Sequence, residues 1–471
     1  MKKHIDAHCH VFNKDILSTG IRIILGALNI GQIAKFLDIT HLDKLIKKLE
    51  HVINFIDIGI NNDTEGIYEE MQKVYNNEFI VTPLMLDLTY VSGTIKTNMN
   101  KSFKGEEDQK IHKHVRNAVT EYTKSAEKQL GNLSAGEKTQ VESKLKDLKS
   151  KVNVLEKKVE LFSKQKDNLR LFGKRNFQKQ LKHLKELKKD NPELVYPFLS
   201  VDPRKKGILD IVKKEVGKGK DFIGVKLYSP CGYSPTDPVL FGTTHRYSPN
   251  EDCLYNYCIK NDIPITAHNS DSGFATFTNT SKINGYIYNA KTDDIEDVNK
   301  TIVFKKKVDI LKFEFDEGWI EERAMVLNHP KIWNHVLNKF NGLRLNLAHF
   351  GGSGQLNSFI NSRNGETPEY ETYSWAETIF SMLQNPLYKN FYTDLSCFNQ
   401  TDDIKLSTFK EKLFDTNPDI QNNILYGSDF YLNMIFMDSF DDYLTMFKTA
   451  FGSDFDKISM INNRAFLKFT D

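Results

Sequence analysis

Eight short stretches of the chain are apolar almost without interruption: residues 4–12, 79–88, 195–201, 222–228, 263–268, 343–350, 390–396 and 424–428. A strand with one wet face alternates apolar and polar residues, whereas a near-continuous run needs protein on both faces. Between most of these runs, apolar residues recur at helical spacing, as at 208–216, 249–261, 330–340, 374–383 and 441–451. Strand and helix in alternation predict an α/β fold, and eight such units predict a closed (β/α)8 barrel, the TIM barrel. The run 52–60 is read as helix, like the rest of 41–77, because a strand there would be a ninth.

Two spacers exceed ordinary connections. In residues 91–194, Val141, Leu145, Leu148, Val152, Leu155, Val159 and Phe162 recur at alternating steps of four and three, a coiled-coil seam. Ser134 and Glu137 form a capping box at its start. An earlier helical pattern spans 111–130, Gly131 and Gly136 flank a turn, and Gly173 breaks the second helix. The expected domains are therefore a barrel (1–95 and 192–471) and a long α-helical coiled-coil hairpin inserted between strands 2 and 3 (96–191). The seam needs a partner, either 111–130 or the same segment of another chain, so a homodimer contact is expected, with a lid as the alternative. The second spacer, 270–318, is polar and irregular and reads as a loop over the barrel mouth.

Charge sharpens this division. The whole chain carries a net +2, but residues 101–190 hold 24 Lys and Arg against 13 Asp and Glu, leaving 40 basic and 49 acidic residues elsewhere. A Lys-rich coiled coil reads as a solvated face. Without interleaved aromatics it does not indicate nucleic acid, and nothing indicates a membrane partner. The five cysteines are irregularly spaced with no CxxC pair, as in a protein with reduced thiols. The N-terminus lacks the apolar core of a signal peptide. The apolar stretch 21–37 contains Arg22 and Lys35 and reads as a core helix, so a cytoplasmic protein is expected.

Candidate chemistry lies at the ends of the runs. His8 and His10 on the first strand form His-x-His; alternation points both imidazoles one way and Cys9 the other. Lys226 lies on strand four (GVKLYSP), His268 ends strand five (PITAH), His349 ends strand six (LNLAHFGG) and Asp429 follows strand eight (ILYGSD). Barrels keep their active sites at these C-terminal ends. Burying such a set is costly unless something pairs its members, and a divalent cation does so.

The order His-x-His, Lys, His, His, Asp resembles the amidohydrolase superfamily. DAHCHVF, GVKLYSP, LYGSD and the C-terminal INNRAFLKF resemble its amidohydrolase-related branch, which includes aminocarboxymuconate-semialdehyde decarboxylase. The resemblance covers nearly the whole chain outside 91–194. It implies that His8, His10, His268 and Asp429 bind a first metal. It also implies that His349 binds a second metal or polarises substrate, that Lys226, if carbamylated, bridges two metals, and that Asp429 moves a proton. One or two divalent ions are expected, Zn²⁺ first, with Mn²⁺ or Fe²⁺ as alternatives.

Each residue also has an ordinary reading. A lone buried histidine commonly bonds to backbone, and Lys226 could pair with a carboxylate. Asp394, at the end of strand seven, could cap a helix, and Asp202 with Arg204 could form a turn. Arg204, Tyr228, His245, Arg246 and Asp394 are candidate substrate contacts. The expected activity is hydrolysis of a C–N or C–O bond in a small, carboxylated or cyclic substrate by metal-activated water. The alternatives are a metal-dependent decarboxylase, and an assembly or partner-binding protein that uses the helical arm.

Overall fold

The computed structural model describes residues 3–12, 42–91, 120, 124, 127–128, 134–164, 174–244, 246–309, 314–367, 374–398 and 406–469. The chain is mixed α/β. Its strands are β1 (His4–Cys9), β2 (Phe79–Pro83), β3 (Phe198–Val201), β4 (Gly224–Leu227), β5 (Ile265–Ala267), β6 (Thr280–Asn289), β7 (Asp294–Val303), β8 (Val308–Asp309), β9 (Glu314–Phe315), β10 (Leu345–Leu347), β11 (Phe391–Asp394) and β12 (Ile424–Leu425). β1 pairs with β2, and β12-β11-β10-β5-β4-β3 form one sheet, every pairing parallel. Backbone bonds join the two sets at both edges. Tyr196 N donates to Val81 O (2.9 Å) and Met85 N to Phe198 O (3.1 Å); Ala7 N donates to Tyr426 O (3.1 Å) and Ser428 N to His8 O (3.0 Å). Each of these eight strands thus has a hydrogen-bonded neighbour on both sides, and each coincides with one of the eight apolar runs.

Local irregularity at β1 sets the site. Ile5 and Ala7 pack with Ile80, Phe198, Tyr392 and Leu425, closed off by Phe466 and Leu467 of the helix Asn462–Leu467. Asp6 points the other way and accepts from Tyr75 Oη of the helix Thr64–Tyr75 (2.9 Å). Strict alternation would then turn His8 away from Ala7's side, but the β1–β2 register shifts between Asp6 and Cys9. This bulge re-aims His8 and His10 toward the cavity described below.

The residues read as helical at 41–77 form the helices Leu42–Asn61 and Thr64–Tyr75. The seam residues Leu145, Leu148, Val152 and Leu155, on the helix Ala135–Lys164, are buried in the main core. The helix Leu42–Asn61 packs along them, and Glu127, one of the few described residues of 111–130, pairs with Lys149 at 3.3 Å. Lys144 pairs with Asp43 (2.6 Å), Lys151 with Glu50 (2.8 Å), and Lys158 with Asp57. Both sets advance together by seven residues, so the helices run parallel. Such exposed pairs are worth about 0–1 kcal/mol each, against ~1.5–3 kcal/mol per buried leucine. The leucines therefore hold the pair together, and the charges fix its register.

The helix Lys174–Asp190 buries Phe177, Leu184 and Leu187 in the same core, and Gln180 exchanges hydrogen bonds with the backbone of Leu86. The spacer 270–318 is not an irregular loop. β6 and β7 form an antiparallel hairpin in full register, and β8 pairs with β9. Arg323, fully buried, donates to the carbonyls of Thr276, Thr278, Trp319 and Lys306, tying this region to the helix Trp319–Asn328. No disulfide joins any of the five cysteines. Among the described residues no helix is long and apolar enough to cross a membrane. The helix expected at 21–37, most of 111–130, Gly173 and His245 lie outside the described residues.

Candidate metal centre

A cavity of about 400 Å³ opens where the parallel strands end, walled by His8, His10, Lys226, Tyr228, His268, His349 and Asp429 among others. Three donors converge on one point in it. His10 Nδ1 lies 2.8 Å from Leu84 O, and His8 Nδ1 lies 3.0 Å from Asp394 Oδ2. Carbonyl and carboxylate only accept, so both Nδ1 atoms carry a proton, and in the neutral form of each ring Nε2 presents a bare lone pair. The two Nε2 atoms face Asp429 Oδ1, at 3.4 Å from His8 and 3.2 Å from His10, and that oxygen has no other hydrogen-bond partner among the described residues. Burial pushes the His8 imidazole down to about 4, so it is neutral at pH 7. Burial opposes the charge on Asp429, and positive charge at His10 and His8 would outweigh it and hold the carboxyl down; with both rings neutral, a cation among the three takes that part. Two neutral imidazoles and a carboxylate with facing lone pairs repel unless a cation lies among them, and this donor set could hold a divalent metal.

The backbone is bent to this end. Asp429 has φ 56°, His349 φ 69° and Cys397 φ 62°, left-handed conformations that cost a non-glycine residue roughly 1–2 kcal/mol each. A Cβ on Gly427 would lie 2.6 Å from the Cβ of His8, so the approach of LYGSD to β1 requires glycine.

Asp394 does not line the cavity. Fully buried behind His8, it accepts from His8 Nδ1, Asn346 Nδ2 (2.7 Å), His349 N (3.0 Å), Ser396 N (3.1 Å) and Ser396 Oγ. It orients His8 rather than facing the cavity. Ser396 Oγ also lies 3.1 Å from His8 Nδ1 and 2.9 Å from His349 Nδ1.

His268 stands outside the three-donor group. Its Nε2 is 2.9 Å from Ser272 O, and its Nδ1 is 3.2 Å from His349 Nε2. The ring of Tyr228 stacks on it at 4.1 Å. His349 Nδ1 faces Ser396 O as well as the hydroxyl that donates to Asp394, so His349 too carries its proton on Nδ1. Two lone pairs therefore meet between His268 and His349, one proton short. Burial lowers the pKa of both.

Lys226 Nζ is buried without a hydrogen-bond partner among the described residues. Burial pulls it down to about 8, against Asp394 and Asp429, which raise it. Arg204 is turned away onto Asp202 (Nη2–Oδ2 2.6 Å) and the Cys231 carbonyl, the turn that its spacing allowed. Arg246 is exposed and does not line the cavity. Ser396, Asn346 and Ser272 were not singled out from sequence. Only Ser396 had a signal, lying two residues beyond Asp394.

No family model matches the chain, and no curated protein matches it. Solved structures similar to it include 5-carboxyvanillate decarboxylase from Sphingomonas paucimobilis, at 11% identity over 64% of this chain and 74% of that one, TM-score 0.33. Another is 5-carboxyvanillate decarboxylase from Novosphingobium aromaticivorans complexed with manganese, at 13% identity over 65% and 72%, TM-score 0.32. A third is an amidohydrolase II, at 12% identity over 63% and 80%, TM-score 0.34.

Proposed function

We propose that the eight parallel strands form a (β/α)8 barrel and that the protein is a metal-dependent hydrolase of amidohydrolase type, cleaving a C–N or C–O bond of a small substrate. The observation that carries this reading is the buried convergence of His8 Nε2, His10 Nε2 and Asp429 Oδ1, three atoms of ligand type within reach of one ion. They supply ligands for one divalent ion. Imidazole and carboxylate suit Zn²⁺ first, with Mn²⁺ and Fe²⁺ close behind. When bound, such an ion supplies Lewis acidity to polarise a substrate oxygen and activate water. Asp429, an anion at neutral pH, accepts the proton that water gives up and returns it to the leaving group. The His268–His349 pair, one proton short, holds a proton or hydroxyl of the substrate at the reacting carbon. Phe274, Ile320, Leu432, Ile435 and Phe436 exclude water from above.

That apolar roof favours one second reading, decarboxylation, since it strips water from a carboxylate held beneath it. Metals per chain, counted by elemental analysis of wild type and of a His8→Ala/His10→Ala variant, test the centre. Full occupancy in the folded double variant would overturn it. Product analysis separates the chemistries, because decarboxylation releases CO₂ and hydrolysis keeps all carbon.

A further inference from the structure

Lys226 is the outlying charge of the cavity. Its side chain is 1% exposed, it lines the cavity wall, and its ammonium donates to nothing among the described residues. β4, β5 and β10 set Lys226, Thr266 and Asn346 side by side in register, and Asn346 Nδ2 is committed to Asp394 at 2.7 Å. Leaving a buried ammonium unpaired costs several kcal/mol, so such a group is normally matched by an anion. The resident carboxylates are already engaged: Asp394 accepts from His8, Asn346, His349 and Ser396, and Asp429 faces the two Nε2 atoms.

On the metal reading above, on which this step rests, the two charges of a divalent ion balance Asp394 and Asp429. The charge of Lys226 is then left over, and the floor of the cavity carries one net positive charge. We infer that Lys226 anchors the carboxylate of a monoanionic substrate whose ring or short apolar body lies against Phe274, Ile320, Leu432 and Phe436. One ammonium, with no arginine among the described residues that line the cavity, suits a carboxylate rather than a phosphate dianion. Glu321, exposed at the rim, repels a second negative charge there. The volume of about 400 Å³ fits a molecule of single-ring size. In this role the amine stays free and is not converted to a carbamate bridge.

The test uses the metal-loaded full chain, with metals counted on every sample. Benzoate and its uncharged counterpart benzamide are titrated by calorimetry into wild type, Lys226→Met and Lys226→Gln. Benzoate should bind wild type about 30-fold or more tightly than benzamide, and both variants should lose that preference. Equal binding of the two probes to wild type overturns the anchor. A preference that survives in either folded variant also overturns it, since the metal alone would then hold the carboxylate. So does a carbamate signal from isotopically labelled bicarbonate that vanishes in Lys226→Gln. If Lys226→Met does not fold, Lys226→Gln and the wild-type ratio decide. A chain that holds no metal yet prefers benzoate through Lys226 removes the metal reading and leaves the anchor standing.

Discussion

Replacing Asp394 by Asn changes one atom far from any substrate yet should weaken the metal centre. The Oδ2 of Asp394 accepts from His8 Nδ1 at 3.0 Å and Asn346 Nδ2 at 2.7 Å, and Oδ1 accepts from His349 N, Ser396 N and Ser396 Oγ. An amide placed with its nitrogen toward Ser396 would face three donors, so it turns that nitrogen toward His8 and Asn346. Asn346 can rotate its own amide to accept. His8 then keeps only Ser396 Oγ, at 3.1 Å, as an acceptor for its Nδ1 proton, or moves that proton to Nε2, which points N–H at Asp429 where a lone pair is needed. Returning to the ligating tautomer breaks that new bond, at ~1–3 kcal/mol. That corresponds to metal binding roughly 10- to 100-fold weaker, the range typical of partners that orient a metal-bound histidine. Losing a buried charge removes a desolvation cost, so the fold should survive. The assay is competition with a chromogenic chelator, with thermal unfolding run in parallel. A folded Asp394→Asn variant with wild-type metal affinity would refute the orienting role and return Asp394 to a helix-capping one.

Other consequences are independent of that one. His8→Ala/His10→Ala should abolish metal binding while circular dichroism stays native. Asp429→Asn removes the base and should cut kcat by about 10²–10⁴, with a weaker effect on folding; near-normal turnover would move the base to His349. Chelation should lower thermal stability, and adding metal at 100 times its Kd should restore about 2.7 kcal/mol; a melting curve indifferent to metal speaks against a site in the native state. Leu148→Ala should cost ~2–5 kcal/mol in denaturant unfolding, whereas Lys151→Ala should cost under about 1 kcal/mol; equal costs would contradict the assignment of stability to the leucines.

The strands were legible because a doubly covered parallel strand leaves an uninterrupted apolar run, and its ends mark where polar side chains enter the mouth. His8, His10 and Asp429 came from that rule. The bulge in β1 did not, since no residue between Asp6 and Cys9 forces it; the register shift is set by pairing with β2. Asp394 fits a capping aspartate as well as an orienting one by sequence, and only the five donors around it decide. Arg204 sits at a strand end like the others, but its guanidinium finds Asp202 two residues back before it can reach the cavity. The resemblance implied His268 as a ligand; its Nε2 lies 2.9 Å from the Ser272 carbonyl, four residues on, a contact that the strand-end position does not announce. In the spacer 270–318 the alternation of Ile283, Gly285 and Ile287 with Lys282, Asn284 and Tyr286 was a strand signal, weakened by the glycine at its centre.

The helix Ala135–Lys164 shows what periodicity leaves open. A heptad seam states that a partner exists and along which stripe, but not which segment supplies it. By sequence the candidates were 111–130, most of which lies outside the described residues, and the same segment of another chain. A charge register that the chain also carries points elsewhere: Asp43, Glu50 and Asp57 recur every seven residues, as do Lys144, Lys151 and Lys158, at a constant separation of 101. A constant separation is the signature of a parallel pair, and parallel pairing within one chain needs a return crossover between the helices. β2 provides it. β1 is followed by Leu42–Asn61 and Thr64–Tyr75, and β2 by Ala135–Lys164 and Lys174–Asp190. The first helices of the two units pack together, and so do the second, where Thr64 Oγ1 meets His183 Nδ1 at 3.5 Å. The described part of the spacer therefore repeats the plan of the unit before it. Its leucines are buried for the same reason as the strands, and cutting the helix away would expose the apolar stripe of Leu42–Asn61 together with the core beneath it.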